Sequence, residues 1–336
     1  MLSEIDAVIT WVDGAQPAHL KKRMHYMAAA ETPLHGNAIN PHRWADSDEL
    51  GYCLRAIERN APWVRRVWII TDNQEPQLPD LSPAFRAKIS LIDHCEIFAG
   101  HAHVLPTFNS LSIETMLWRI KGLAEHFLYF NDDVFVTRPV QPSDFFTPSG
   151  PVLRGHWADY SELADCPIKR RELALLNHFN QIKSATMSGY SADKIFLSAH
   201  VVHPMKQSVM AALYAQHREA FLENIGHRFR CTGQFLPQSL HNHACIRDGS
   251  ATLLEAHDYL HLAAGMFDDQ TLDQVRAEMR TAASPTIKFL CVNDLPELEQ
   301  HIGNARNWIE QTIGVGVQQY PKGLQFALTG PLISER

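Results

Sequence analysis

Apolar and polar positions follow two different periods along this chain. IDAVITW, residues 5–11, is a β-branched run closed by the turn pair Asp13-Gly14, and it predicts a first strand. In DELGYCLRAIERN the period changes: Leu50, Cys53, Leu54 and Ile57 share one helical stripe, with Asp46 or Ser47 as N-cap. VRRVWIITDN predicts a second strand closing on Asp72-Asn73, KISLIDH a third, SLSIETMLWRI a helix, and HFLYFNDDVFV a fourth strand. Strands alternating with helices predict an α/β fold with a mostly parallel, Rossmann-like sheet, in which ligands sit beyond the carboxyl ends of the strands. Asp13, Asp72 and the Asp132-Asp133 pair all fall at or near those ends.

The rest of the chain is read more coarsely. Residues from about 150 to 200 mix their periods and predict an insertion with one helix. MKQSVMAALYAQHREAFLENI and DLPELEQHIGNARNWIEQTI are helical in period, so residues from about 255 to 336 are expected to form a C-terminal helical elaboration. One domain over residues 1–336, with these additions, fits better than two.

Composition narrows the function classes. A net charge of -7 lacks the basic footprint a nucleic acid demands, so no nucleic-acid partner is expected. Neither a run of about 18 apolar residues nor a basic-then-apolar leader is present, which predicts a cytoplasmic protein. RRELALLNHF is the one stretch that could lie against a membrane surface, at most as a peripheral association, and a basic helix start is more often a solvated face. Six cysteines without a CxxC pair predict reduced thiols. The histidine pairs His101/His103 and His241/His243, and His94 beside Cys95, have no second half at zinc-site spacing.

The informative stretch is FLYFNDDVF, where two carboxylates interrupt an apolar run. A hard divalent cation takes one or two carboxylates plus phosphate oxygens and water, and a pair just past a strand end can supply them. The competing reading is that one Asp caps the next element and the other is solvated. Two further features favour chemistry. Asn109 and Ser110 precede a helix whose N–H groups could face an anion, while His203, His227, Arg228 and Arg230 offer a base and phosphate-matching cations.

IDAVITWVDG, SDELGYCLRAIERNAPWVRRVWIITDNQ, LPTFNSLSIETMLWRIKGLAEHFLYFNDDVFVTRPVQPSDFF and HPMKQSVM…HRFR resemble, in order, the conserved blocks of the Stealth family, with a weaker last block at KFLCVNDLPE. That family contains bacterial capsule hexose-1-phosphate transferases and the lysosomal-enzyme N-acetylglucosamine-1-phosphotransferase. The resemblance implies a GT-A-like fold and the transfer of hexosamine-1-phosphate from a UDP-N-acetylhexosamine to a hydroxyl of a growing capsule glycan, releasing UMP. Carried over by matching motif, Asp133 and its neighbour Asp132 are metal ligands for Mg²⁺, with Mn²⁺ as the alternative, and Asn293-Asp294 complete the shell. His203 is the general base, Arg230 stabilises developing charge with Arg228 as its rival, and Asp13, Gly14, Asp72, Asn109 and Ser110 hold the donor. A UDP-dependent glycosyltransferase releasing UDP, and a non-catalytic nucleotide-sugar or glycan binder, are the readings to be separated from this one.

Overall fold

The first strand, β1 (Ile5–Thr10), explains the centre of the molecule. Ile5, Ala7 and Ile9 point into one apolar layer and Val8 into the other, as the two-residue period of a strand requires, and all four are buried. A strand covered on both faces belongs inside a parallel sheet. β1 is central in the five-stranded order β3-β2-β1-β4-β9, built from β2 (Val67–Thr71), β3 (Ile89–Asp93), β4 (His126–Asn131) and β9 (His203–Lys206). The first four are mutually parallel, and β9 runs antiparallel on the edge. The computed structural model describes residues 4–44 and 46–314; residues 315–336 of the expected C-terminal part lie outside the described residues.

The predicted mostly parallel α/β sheet is therefore present, and its first three strands lie where the apolar runs placed them. Other expectations differ. HFLYFNDDVFV forms two strands rather than one: the chain leaves β4 at Asn131, passes through Asp132 and Asp133, and enters β5 (Val134–Val136) in another sheet. That second sheet has the order β11-β12-β5, with β11 (Tyr259–Leu262) and β12 (Phe289–Val292) contributed by the stretch expected to be helical. β12 is only four residues long but wholly buried, and four apolar residues do not distinguish a core strand from a helix by period. The stretch expected to be a one-helix insertion carries β7 (Gly150–Ala158) and β8 (Ile195–Ser198), which pair antiparallel beside β6 (Phe146–Thr147) and β10 (Thr252–Leu254). Its main helix is Leu176–Met187.

The helix Glu49–Asn60 starts close to its predicted place, but Asp48 is the N-cap, in a left-handed conformation (φ 69°) without a side-chain cap bond. It binds the two sheets together. Its Cys53, Ala56 and Ile57 share one apolar cluster with Ile9 of β1, Phe135 of β5 and Leu290 of β12. Asn60 donates to the Val136 carbonyl at 2.7 Å and to the Ile313 carbonyl at 3.2 Å, tying the C-terminal helix Ala305–Thr312 into the same layer. Among the described residues, no helix is long and apolar enough to cross a membrane.

One polar residue of β1 is fully buried. Asp6 accepts two hydrogen bonds from the Arg65 guanidinium at 2.8 and 2.7 Å, one from the Trp68 indole at 2.9 Å and one from the Ala124 amide at 2.9 Å. Asp6→Ala strands the Trp68 indole and the Ala124 amide and leaves Arg65 only Glu4 and the Gly122 carbonyl. Because Arg65 keeps some contact with water, we expect a loss of about 3 kcal/mol, the low end for a broken buried pair. A urea unfolding midpoint equal to that of the parent would contradict this assignment.

Candidate active site at the strand ends

In an open sheet the strand order reverses between β1 and β4, and the crevice beyond their carboxyl ends is where ligands bind. The structure puts Asp13 and Gly14 on one side of that crevice and Asn131, Asp132 and Asp133 on the other. Because β9 runs the other way, its first residue reaches the same rim: His203 lies in register with Tyr129 and its ring stacks on the tyrosine at 6.3 Å. The sequence offered His203 as a base just ahead of a helical stretch, without assigning it to a strand, and only strand pairing brings it here.

The β1 side is held by a rigid turn. Asp13 Oδ1 accepts from the Ala15 and Gln16 amides at 2.8 and 3.2 Å, and Gln74 clamps the Asp13 backbone from both its amide and its carbonyl. A Cβ at Gly14 would come within 2.6 Å of the Trp44 carbonyl oxygen, so only glycine lets the 41–44 turn close over this corner. Asp72, at the end of β2, is ion-paired with Lys22 at 2.5 Å and stands near His19 and His94.

Asp132 and Asp133 are half-buried in an acidic neighbourhood. Burial, then the Asp133 charge, then Glu49 hold the Asp132 carboxyl well above the usual carboxylate range. Burial also raises Asp133, although an Asn293 amide donating to its Oδ2 and the nearby His261 pull the other way. Its second oxygen, Oδ1, is buried without a hydrogen-bond partner. Glu49 is pushed up to about 7, by burial first. Asp46 is raised for the same reason. Asp294, predicted as a fourth ligand, instead caps the helix Leu295–His301 by accepting from the Glu297 amide at 3.1 Å. Asn293 is thus the member of that pair that reaches Asp133.

Two guanidiniums face this acidic group. Burial, then the proximity of Arg230, lowers Arg43 to about 9, and both arginines feel the charges of Asp133 and Glu114. Arg230 donates to Ser110 Oγ and lines a cavity of about 110 Å³ together with Glu114, Asn131, His200 and His203. Arg228 points elsewhere: it lies over the Tyr26 ring at 4.5 Å and donates to the Leu105 carbonyl at 3.3 Å. His203 is held down to about 3 by burial, then by His200 and His241, and is therefore a neutral imidazole. The helix N-terminus expected to face an anion is closed by its own cap, since Asn109 Oδ1 accepts from the Leu111 amide at 3.1 Å. The Asn109 amide donates to the His227 carbonyl and to Gln234, so this residue holds the loop that carries Arg230. His227 contributes that carbonyl, with its ring beside Cys231 at 3.6 Å.

The structure thus gathers Asp132, Asp133, Asn293, His203, Ser110 and Arg230, and leaves Arg228, Asp72, Asn109 and Asp294 in other contacts. Sequence reasoning missed Arg43, Asp46, Glu49 and Glu114. Asp46 and Glu49 were visible only as helix-start residues, and no spacing connects Arg43 with Arg230. His241 and His243 accept the Lys206 and Phe196 amides at 3.0 Å each, so that pair serves the ends of β9 and β8.

The Stealth conserved region 1 description matches residues 3–29 and that of conserved region 2 matches residues 43–153. The exopolysaccharide phosphotransferase SCO6023 of Streptomyces coelicolor is 37% identical over 258 residues, covering 74% of this chain and 41% of the relative. The chain likewise spans 42% and 48% of two other Streptomyces coelicolor exopolysaccharide phosphotransferases, less than half the length of each. The receptor polysaccharide phosphotransferase WefC of Streptococcus oralis is 30% identical over 68% of this chain and 74% of its own length. Among solved structures, the galactosyltransferase LgtC with donor and acceptor sugar analogs is similar at 14% identity and a TM-score of 0.40, over 94% of this chain and 98% of that one. Conserved regions 1 and 2 contain the β1 turn and the Asp132-Asp133 pair on the two sides of the crevice, and with relatives at this identity and coverage the chain belongs to the Stealth family.

Proposed function

We propose that this chain is a polysaccharide phosphotransferase that moves hexosamine-1-phosphate from a UDP-N-acetylhexosamine to a sugar hydroxyl of a growing capsule or cell-wall glycan. One observation carries this reading: a half-buried carboxylate pair with an unpartnered oxygen stands within electrostatic reach of two guanidiniums that also repel each other, with a neutral imidazole on the same rim. Two like charges held together in a buried site favour an anion between them, and the carboxylates favour a cation beside it. A metal diphosphate presents both. The names of the relatives, phosphotransferases acting on polysaccharides, support the same reaction class.

Asp132 and Asp133 would hold Mg²⁺, or Mn²⁺, with Asn293 orienting Asp133; the orphaned Oδ1 is the ligand atom the hydrogen-bond network leaves over. When bound, the cation neutralises charge on the diphosphate. The acceptor oxygen forms a bond to the β-phosphorus, and the bond from that phosphorus to the oxygen bridging to the α-phosphorus breaks. UMP leaves with the bridging oxygen, and the bond from the anomeric carbon to its oxygen survives. His203 takes the acceptor's proton; its affinity for protons, lowered by burial, rises once a diphosphate brings negative charge nearby. Arg230 and Arg43 stabilise the charge on the transferring phosphoryl oxygens. The Asp13-Gly14 turn holds the donor's nucleotide side, with Asp72 further along the rim. Asn109 supports Arg230 through the loop it anchors. All six cysteines are free, as a reducing cytoplasm would keep them, and we place the reaction there.

The released nucleotide separates the readings. With a capsule-like acceptor, Mg²⁺ and a panel of UDP-N-acetylhexosamines, we expect acceptor-dependent UMP. UDP instead would make this a glycosyltransferase, and binding without either product would make it a binder. Arg230→Lys is expected to lower kcat by about 10²–10³-fold, the usual cost of one donor to a developing charge, whereas Arg228→Lys stays within about threefold. Equal losses in the two variants would refute the choice of Arg230.

The acidic cluster also sets a pH dependence. A carboxyl whose folded pKa is raised binds more protons folded than unfolded, so stability falls as pH rises from the ordinary carboxylate range to about 7, the value for Glu49. A bound cation offsets that repulsion in the ionised form. Mg²⁺ should therefore raise Tm more at about pH 8 than at about pH 5.5, where protons compete with it. Asp133→Asn should abolish the Mg²⁺ effect at both, and a full Mg²⁺ shift in that variant would show that the cation binds elsewhere.

A further inference from the structure

A second group of side chains lies behind Asp133. His261 and Cys291 are direct partners in the parallel pairing of β11 with β12. Asn293, two residues beyond Cys291, lies on the same face of its strand. His200, from the segment between β8 and β9, places its ring 5.0 Å from that of His261. One ligand atom from each of His200, His261 and Cys291 lies within 4.8 Å of the other two. No sequence spacing announces this trio, because its members come from three separate segments.

We infer that His200, His261 and Cys291 form a binding site for a soft divalent cation of the Zn²⁺ class, with an oxygen of Asp133 as the fourth ligand. Two imidazoles, a thiolate and a carboxylate are an ordinary zinc donor set, whereas Mg²⁺ has no use for sulfur. Ligand atoms around tetrahedral zinc lie about 3.3–3.8 Å apart, so a side-chain adjustment of about 1 Å closes the trio. The fourth position is at hand because the Asn293 amide that donates to the Asp133 carboxylate also contacts the Cys291 sulfur at 3.5 Å, which sets the carboxylate beside the trio; a bound ion replaces the thiol proton, which leaves to solvent.

The imidazole of His261 is also oriented as metal ligands are. Asn293 donates its amide to Asp133, which turns its carbonyl oxygen towards His261 at 2.6 Å, so His261 Nε2 must be the donor. Nδ1 then carries the lone pair, and the Asn293 contact is the outer hydrogen bond that fixes ring and tautomer. Cys291 is buried, but His200 lines the cavity shared with His203 and Arg230, which gives an ion its way in.

Zn²⁺ binding here stands on its own. Its consequence rests on the magnesium reading above: an ion that takes an oxygen of Asp133 withdraws it from Mg²⁺, so Zn²⁺ inhibits in competition with Mg²⁺.

The test uses chelator-treated full chain, titrated with Zn²⁺ and separately with Co²⁺. We expect one ion per chain and, with Co²⁺, a near-ultraviolet thiolate-to-metal charge-transfer band. The band should vanish in Cys291→Ser, and Zn²⁺ affinity should fall at least about tenfold in both Cys291→Ser and His200→Gln. Asp132→Ala should retain the band. A Co²⁺ complex without the band, or Zn²⁺ affinity unchanged in both ligand variants, would place the ion on the carboxylates alone and overturn the proposal. If Cys291→Ser does not fold by circular dichroism, His200→Gln decides alone. A parent chain that gives the band yet shows no Mg²⁺-dependent turnover would uphold this site while overturning the magnesium reading.

Discussion

Only two residues, Asp132 and Asp133, separate the end of β4 from the start of β5, and the two strands belong to different sheets. Both strands are buried, so both ends of this link are fixed by packing that the link itself cannot change. Two consecutive residues extend only about 7 Å, which forces the sheets to meet at this point. The helix Glu49–Asn60 packs across the junction and the amide of Val292 donates to the Asp133 carbonyl at 3.0 Å, so the link is braced from the helix and from β12. The carboxylates are held in place by the cores of two sheets rather than by a mobile loop, and a site built on such elements keeps its geometry.

That placement carries an electrostatic cost, and the surroundings show how it is met. Four carboxyl groups, Asp46, Glu49, Asp132 and Asp133, are all held above their ordinary range, with burial the largest cause in each. Arg43 and Arg230 lie within reach of Asp133 but also repel each other. Neither sign is neutralised by its own partners, so cation and anion together relieve both groups at once. An isolated cation would leave the guanidiniums opposed, and an isolated anion would leave the carboxylates crowded. This mutual dependence is what the proposed metal-diphosphate reading rests on, more than on any single residue's role.

The same link brings the C-terminal strands into the chemistry. β12 pairs with β5, which sets Asn293 against Asp133, and β11 pairs with β12, which sets His261 against Asn293. A stretch read as a helical elaboration thereby supplies the orientation of a central carboxylate. The insertion does comparable work: β8 precedes the segment carrying His200, and the helix Leu176–Met187 holds Gln234 and Cys231 through Asn180, steadying the loop that follows Arg230.

The sequence by itself determined the parallel core and the most chemically loaded stretch in it. Long β-branched runs such as IDAVIT and VWIIT bury on both faces whatever their neighbours, and two carboxylates between apolar runs have few places to go other than a strand end. The order of motifs likewise sufficed to suggest the family. Tertiary structure alone decided which polar residues meet. Strands of three or four residues, such as β5, β9 and β12, have too little period to be recognised and form only because a partner strand satisfies their backbone groups. His203, Arg43, His261 and Cys291 reach the site through that pairing and through the turns beside it. Their sequence distances from Asp133 follow no rule, since contact between strands is set by register in three dimensions rather than by position along the chain.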